Sequence, residues 1–144
     1  MRRVEEVSAQ ATLPLRCAVL RPGGEPSEAF FGPIQPGTRH FACFDVEQLV
    51  GAGYIVPNAA PFAPDVRAWQ LRGMAVEPEW QGQGIGAAIV RHVEDLARRE
   101  EVLLLWFNAR KVAVGFYEKL GYELRSDEFD ISGIGPHFVM GKEL

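Results

Sequence analysis

The chain has 144 residues, a length typical of one domain. Hydrophobic residues make up 47% and charged residues 24%, so an ordinary core can form without a disulfide or metal to hold it. The formal net charge is −4 and Lys and Arg form no dense cluster, which argues against a DNA- or RNA-binding protein.

The cysteines and the N-terminal segment indicate the compartment. Cys17 and Cys43 are isolated and lack the spacing of a zinc site. Residues 1–10 are charged and are not followed by an apolar run, unlike a signal peptide. No stretch approaches the length of a membrane span. We therefore expect a cytoplasmic protein with reduced thiols, no metal and no membrane partner.

The first half of the chain predicts one helix and a hairpin. Residues 4–7 resemble an edge strand, and residues 8–20 fit a helix that starts or kinks at Pro14. Residues 39–45 alternate and resemble a strand, and a second strand at residues 48–57 follows after a short turn, so the two are expected to form a hairpin.

Between the first helix and the hairpin, residues 21–38 are rich in Pro and Gly and predict a loop. Residues 27–31 could add a helical turn. Because Phe30 and Phe31 are too apolar for a free linker, the segment is either a packed surface loop or a flap over a pocket.

The second half alternates strands with helices. A strand at residues 68–76 precedes a helix whose apolar stripe has helical spacing, and residues 102–107 form a continuous apolar run typical of a strand buried on both faces. The stripe consists of Ile85, Ala88, Ile89, Val93 and Leu96.

A second helix has one apolar side, formed by Ala113, Phe116, Tyr117 and Leu120. Gly121 ends it in a left-handed position, and Tyr122 packs back on it. Strands at residues 122–129 and 137–142 complete the chain. Strand–helix–strand units joined to hairpins predict an α/β (α+β) fold with a mixed sheet and helices on its faces.

A glycine-rich turn at residues 77–87 (EPEWQGQGIGA) connects the strand at residues 68–76 to the helix that follows it. Gly82, Gly84 and Gly86 remove side chains, so backbone N–H groups can approach a ligand closely. The first turn of the helix adds unpaired donors and the positive end of its dipole. These features are typical of a diphosphate site, although glycines alone could mark only a structural turn.

Two familiar phosphate motifs do not fit. The spacing of Gly82, Gly84 and Gly86 differs from the G-x-G-x-x-G of dinucleotide-binding proteins, and the next strand ends in Asn108 rather than an acidic residue. The Gly-Lys-Ser/Thr of a P-loop is missing.

Two motifs resemble those of the GNAT family of N-acetyltransferases. Residues 81–86 (QGQGIG) match its coenzyme A signature, Q/R-x-x-G-x-G/A. Residues 108–122 (NARKVAVGFYEKLGY) resemble a second signature, an Asn after the fifth strand and then G-F-Y-x-x-L-G-[FY]. The resemblance covers residues 68–144 well and the first half mainly in layout.

The resemblance implies a fold and a donor. The fold is a mixed, mostly antiparallel central sheet with a splayed pair of fourth and fifth strands and helices on both faces, in one acyltransferase domain over residues 1–144. The donor is acetyl-CoA, bound by the backbones of the fourth strand and the glycine-rich turn, with Asn108 as a further contact. These backbone contacts are Met74, Ala75, Val76, Gln81, Gly82, Gln83, Gly84, Ile85, Gly86 and Ala87.

The resemblance also implies catalytic roles. The Met74 N–H would donate to the thioester carbonyl, and Tyr117 would protonate the departing thiolate. Tyr117 could instead be core, and Asn108 could instead cap the following helix.

The base that deprotonates the amine has no clear candidate. Some family members carry a Glu in the fourth strand, where this chain has Gln70, Leu71 and Arg72. Glu128 and His137 could act through water. Arg72 could form a salt bridge or contact an anionic acceptor.

We therefore predict transfer of an acetyl group to a primary amine by direct attack, with a small-molecule or peptide amine as acceptor and homodimerisation left open. The alternatives are a non-catalytic acyl-CoA-binding module of the same fold and, more remotely, a nucleotide-binding protein.

Overall fold

The computed structural model describes residues 1–23 and 25–144, and of residues 29 and 30 it describes the backbone alone. The described chain groups into two compact units. The first consists of Met1–Pro57 and Leu71–Asp95, and the second of Asn58–Gln70 and Leu96–Leu144.

The described residues form eight strands and three α-helices. In chain order they are β1 (Arg2–Val7), α1 (Ala9–Leu20), β2 (Arg39–Asp45), β3 (Gln48–Pro57), β4 (Ala68–Val76), α2 (Ile85–Arg99), β5 (Leu104–Arg110), α3 (Val114–Lys119), β6 (Glu123–Leu124), β7 (Phe129–Ile131) and β8 (Gly135–Glu143). Short 3₁₀ helices cover Glu28–Phe31, Pro78–Trp80 and Lys111–Ala113.

In the first unit the strand order is β1-β2-β3-β4, and β2 pairs antiparallel with both β1 and β3. The predicted hairpin of β2 and β3 is confirmed with its bounds, as are the bounds of β4. The 3₁₀ helix at Glu28–Phe31 agrees with the turn predicted in the loop.

Helices pack on both faces of this sheet because successive strand residues point to opposite sides. Ala52 clusters with Leu15 of α1. On the other face, a Cβ on Gly51 would be 2.5 Å from the Cγ2 atom of Ile85 in α2. A glycine at this position therefore lets α2 lie close to β3.

Helix α1 covers the residues predicted for it, and the alternative start at Pro14 is wrong. Ser8 caps the helix by accepting a hydrogen bond from the Ala11 N–H, and Pro14 lies inside the helix. Pro14 is exposed, so water can reach the carbonyl that its ring leaves unpaired. The helix therefore passes through the proline instead of starting there.

In the second unit, Ala68–Gln70 of β4 pair in parallel with Leu104–Trp106 of β5. Strand β8 pairs antiparallel with β5, β6 and β7. Trp106 anchors the core of this unit, where its indole N–H donates to the Asn58 carbonyl at 2.9 Å.

The single strand predicted at residues 122–129 is wrong. It is divided into β6 and β7, because the Val139 N–H of β8 donates to the Ser126 hydroxyl at 2.9 Å in place of a backbone carbonyl. A side chain that captures a ladder donor in this way interrupts the strand.

The fold class is confirmed: the structure is mixed α/β, with mostly antiparallel strand pairs and one parallel pair among the described residues. None of the helices in the described part of the chain has the length and apolarity needed to span a bilayer.

Candidate active site

The glycine-rich turn is open to solvent. Gly82 and Gly84 have φ angles of 78° and 82°, in the left-handed region that favours glycine. No heavy atom lies within 4 Å of an ideal Cβ at either position. A ligand can therefore approach the backbone here without meeting a side chain.

Side chains of the same unit hold the turn in place. The Gln81 amide donates to the Val76 carbonyl at 3.2 Å. The Arg2 guanidinium donates to the Gln83 backbone carbonyl and, at 3.1 Å, to the Gln83 side-chain oxygen. Arg2 also lies over the Trp80 ring, 6.0 Å from its centroid. Strand β1 thus contacts the glycine-rich turn through Arg2 and stabilises its conformation. The sequence did not predict this contact.

Helix α2 begins directly at this turn. Its first intrahelical hydrogen bond runs from the Ala88 N–H to the Gly84 carbonyl, 3.0 Å away. The N–H groups of Ile85, Gly86 and Ala87 precede that bond and belong to the helix end that carries the positive dipole. Ile85 is 1% exposed and anchors this end in the core. The arrangement suits an anionic group such as a diphosphate.

Strand β4 bends just before the residues predicted to contact the donor. Gly73 has a φ of 63°, unlike the extended residues of a regular strand. After it, the Met74 side chain lies against Gly53, where a Cβ would be 2.6 Å from the Met74 sulfur. Ala75 is buried in the cluster with Leu15. The side chains are thus used for packing, which leaves backbone groups as the available donors and acceptors.

In the second unit, Tyr117 has a strongly shifted pKa and lies in a cluster of aromatic rings. Its ring packs on Phe107, with centroids 4.2 Å apart, and meets Phe116 and Tyr122 edge-on. Burial raises the pKa of Tyr117 to about 12, so its hydroxyl keeps its proton at neutral pH. Within the described part of the chain this hydroxyl makes no hydrogen bond.

The helix around Tyr117 is partly as predicted. Gly121 has a φ of 96°, and the Tyr122 N–H donates to the Tyr117 carbonyl at 3.1 Å, so the predicted left-handed end and the return of Tyr122 are confirmed. On the predicted apolar side, Tyr117 is buried whereas Phe116 is 41% exposed.

Asn108 lies inside β5, opposite Val139 of β8, and is exposed. It does not cap a helix: Arg110 and Ala113 occupy the capping positions of the 3₁₀ helix and α3, and neither makes a side-chain cap hydrogen bond. The capping alternative is wrong because β5 continues beyond Asn108.

The candidate bases of the second unit are engaged elsewhere. The Glu128 carboxylate is 2.8 Å from the Lys111 ammonium. His137 is 4% exposed, and its Nδ1–H donates to the Gly135 carbonyl at 2.7 Å. Gln70, which stands in the region where some family members carry a Glu, accepts from the Asn58 amide through its side-chain oxygen at 3.0 Å. The Glu128 carboxylate and the His137 Nδ1 are thus paired within the unit.

The first unit contains a cavity of about 270 Å³. Residues 31–35 of the Pro/Gly-rich loop form part of its wall, as either a packed surface loop or a flap would, and the side chain of Phe30 lies outside the described atoms. Three arginines also line the cavity: Arg16, Arg39 and Arg72.

Arg16 is buried on the inner side of α1, with 1% exposure. It donates to Thr12 at 2.9 Å, to the Ala9 carbonyl at 3.0 Å and to Glu28 at 2.6 Å. A charge buried this deeply needs such partners. Arg16 therefore ties the 3₁₀ helix that contains Glu28 to α1.

His40 and Tyr54 form another part of the wall, with ring centroids 4.9 Å apart. Burial lowers the pKa of His40 to about 4, helped by the positive charge of Arg16 and opposed by Glu28. The buried Nδ1 of His40 has no hydrogen-bond partner among the described residues. An unmade hydrogen bond of this kind costs about 1–3 kcal/mol. Sequence reasoning missed this neutral imidazole.

One signal could have identified Arg16. Thr12, Leu15, Arg16 and Val19 share one helical face by spacing, so a charge stands on an apolar stripe. His40 and Arg2 offered no comparable signal, because their contacts come from distant parts of the chain.

Among residues 1–23 and 25–144, no group of three or more His, Cys, Asp or Glu side chains is placed to hold a metal ion.

An open glycine turn at the start of a helix suits an anionic ligand, and comparison with known proteins identifies the class as N-acetyltransferases. Residues 36–124 match the model of the acetyltransferase (GNAT) domain. An uncharacterized N-acetyltransferase of Bacillus subtilis, YitI, is 31% identical over all of this chain and 97% of its own. The chain belongs to the GNAT family of N-acetyltransferase enzymes, as its two motifs predicted.

Solved structures share the fold. A GNAT family acetyltransferase from Elizabethkingia anophelis with acetyl-CoA bound has a TM-score of 0.73 at 16% identity, covering 99% of this chain and 98% of its own. An aminoglycoside 6'-N-acetyltransferase complexed with coenzyme A has a TM-score of 0.76 at 17% identity, covering 98% and 96%.

Proposed function

We propose that this protein transfers the acetyl group of acetyl-CoA to a primary amine, which attacks the thioester directly, and that residues 1–144 act as one acyltransferase domain. The observation that carries the proposal is the open turn at Gly82 and Gly84, which leads into the positive end of α2. The coenzyme A or acetyl-CoA bound to structures of the same fold supports the choice of donor.

Donor binding rests on backbone atoms. The diphosphate would accept hydrogen bonds from N–H groups of the turn and the first turn of α2, at positions 81–87. The backbone of β4 at Met74, Ala75 and Val76 would pair with the pantetheine arm, and Asn108 would add a contact from β5. The lack of side chains at Gly82 and Gly84 fits this mode of binding.

Acetyl-CoA supplies an acetyl group activated as a thioester. The Met74 N–H donates a hydrogen bond to the thioester carbonyl oxygen, where negative charge grows during attack. The amine nitrogen forms a bond to the carbonyl carbon as the carbon–sulfur bond breaks. One amine proton leaves to water, and the departing sulfur receives a proton.

Tyr117 is the proposed source of that proton. Its hydroxyl is protonated at neutral pH and makes no hydrogen bond within the described chain, so it is available to a ligand. A positioned acid of this kind contributes about 10²- to 10⁴-fold to the rate.

Two measurements test the proposal. Titration calorimetry with acetyl-CoA, ATP and NAD should give binding of acetyl-CoA alone. Thiol release should then depend on an added amine, measured over a panel of amino acids, amino acid amides, polyamines and peptides. Binding of acetyl-CoA without release for any amine would favour a non-catalytic acyl-CoA-binding module, and binding of ATP or NAD instead would reject the donor.

A further inference from the structure

We propose that the cavity of the first unit is the acceptor site, and that the acceptor is a small primary amine carrying a carboxylate, bound by Arg72. This inference rests on the proposed acetyl transfer and adds the substrate class to it.

The charges of the cavity wall indicate an anionic ligand. Arg16 is neutralised by Glu28, and Arg39 donates two hydrogen bonds to Glu6, at 2.8 and 3.1 Å. The hydrogen bonds from Arg39 hold the pKa of Glu6 below its usual range, so that carboxylate stays ionised.

Arg72 is the third guanidinium of the wall. It is half-buried and lies over the Tyr54 ring, 5.9 Å from its centroid, and no carboxylate of the described chain pairs with it. The planar fork of a guanidinium matches a carboxylate in two parallel hydrogen bonds. A ligand carboxylate would therefore provide Arg72 with the partner that the chain does not.

His40 is a second, independent indication of a ligand. It is 8% exposed and lines the same cavity, and its buried Nδ1 lacks a partner in the described part of the chain. A polar group of a ligand can supply that hydrogen bond once the imidazole ring turns towards the cavity. An uncharged imidazole also adds no second positive charge that would repel an amine.

The size and wall of the cavity favour a small molecule over a folded protein surface. Its volume of about 270 Å³ is just below the range of roughly 300–1,000 Å³ that is usual for small-ligand pockets. Phe31, Ile34 and Val56 give it an apolar part. An amino acid with an apolar side chain matches the apolar wall, the free guanidinium and the orphan imidazole nitrogen together.

The position of Arg72 suits the chemistry. It precedes Met74, the proposed donor to the thioester carbonyl, by two residues of β4, with the irregular Gly73 between them. A carboxylate held by Arg72 would therefore keep the small molecule beside the segment of β4 that contains the proposed donor.

The test compares matched acceptors. L-leucine and L-phenylalanine would be assayed against leucinamide and phenylalaninamide, with wild type, Arg72→Gln and Arg72→Lys. We expect wild type to favour each acid over its amide in kcat/KM. Arg72→Gln should lower kcat/KM for the acids roughly 10- to 100-fold, leave the amides unchanged and keep the KM for acetyl-CoA. Arg72→Lys is a conservative variant that keeps the positive charge. It should retain part of the preference for the acids over the amides.

Arg91→Gln is the matched control, because Arg91 is exposed on α2 and does not line the cavity. It should keep the full preference. Equal or better use of the amides by wild type, or an undiminished preference in Arg72→Gln, would overturn the inference while leaving acetyl transfer intact.

Binding measurements separate a failure of the carboxylate site from a failure of the proposed acetyl transfer. If no amine is acetylated, calorimetry with L-leucine and N-acetyl-L-leucine still decides the inference. Binding that is weakened in Arg72→Gln supports the carboxylate site, and absence of binding at millimolar ligand overturns it.

Discussion

Gly73 lies directly against the ring of Tyr54: a Cβ on Gly73 would be 2.3 Å from the Cε1 atom of that ring. The same ring is stacked with His40 and lies beneath the guanidinium groups of Arg16 and Arg72. The bend of β4 at Gly73 therefore sets the position of an aromatic ring that several cavity residues share.

The substitution Gly73→Ala should destabilise the protein by about 1–3 kcal/mol, because it adds strain at a φ of 63° and a clash with Tyr54. Urea unfolding measures this loss. Gly115→Ala is the control, since no heavy atom lies within 4 Å of an ideal Cβ there and the residue is helical. It should be neutral or stabilising by up to about 1 kcal/mol. Equal stability of both variants would mean that Gly73 is not under this constraint.

Tyr117→Phe should lower turnover by about 100-fold or more at saturating acetyl-CoA, because the departing sulfur loses its proton donor. Its affinity for coenzyme A should stay within a few fold of wild type, since the ring remains packed on Phe107. Tyr122→Phe removes a hydroxyl from a neighbouring ring of the same cluster and should change turnover only a few fold. Equal rates for Tyr117→Phe and wild type would reject the acid role.

Gly84→Asp should weaken acetyl-CoA binding at least 10-fold, because it adds a side chain and a negative charge beside the proposed diphosphate site. Gly133→Asp is a matched control. Gly133 has a similar φ of 78° and no heavy atom within 4 Å of an ideal Cβ. Calorimetry should give wild-type affinity for Gly133→Asp, and unchanged affinity in a folded Gly84→Asp variant would remove the diphosphate assignment.

His40 should make the protein sensitive to acid. Its pKa is about 4 in the folded state and about 6.5 when unfolded, so only the unfolded chain binds this proton between those values. The contribution of the uncharged His40 to the free energy of unfolding is therefore fully present above pH 6.5, and it falls as the pH drops towards 4. The charged neighbours that shape this pKa are Arg16, which lowers it, and Glu28, which raises it.

Urea unfolding of wild type and His40→Gln from pH 7.5 to pH 4 tests this prediction. The variant should lose less stability than wild type across that range, because it no longer carries the histidine. Parallel curves for the two proteins would show that His40 is protonated equally in the folded and unfolded states.

The sequence predicted the strands with strong local patterns. The bounds of β2, β3 and β4 follow from the alternation of residues 39–45, from the short turn after them and from the prolines that break the chain after β3 and β4. The division of β6 from β7 could not be predicted, because it depends on a hydrogen bond from Val139 to Ser126, two residues far apart in the chain.

The candidate site likewise combines features of local motifs with contacts between distant segments. The glycine turn and Tyr117 belong to local motifs, and the sequence singled them out, although their roles in binding and catalysis stay predictions. The contact of Arg2 with the turn, the ion pair of Arg16 with Glu28 and the orphan nitrogen of His40 exist only after distant segments meet. No local spacing encodes them.

The most direct test of the central claim is a stoichiometric assay with acetyl-CoA labelled in its acetyl group and an amine that supports thiol release. We predict that the label appears on the amine nitrogen, with one molecule of free coenzyme A thiol for each acetylated amine. Thiol release without label on the amine, or no amine-dependent release from any acceptor by protein that binds acetyl-CoA, would contradict the account.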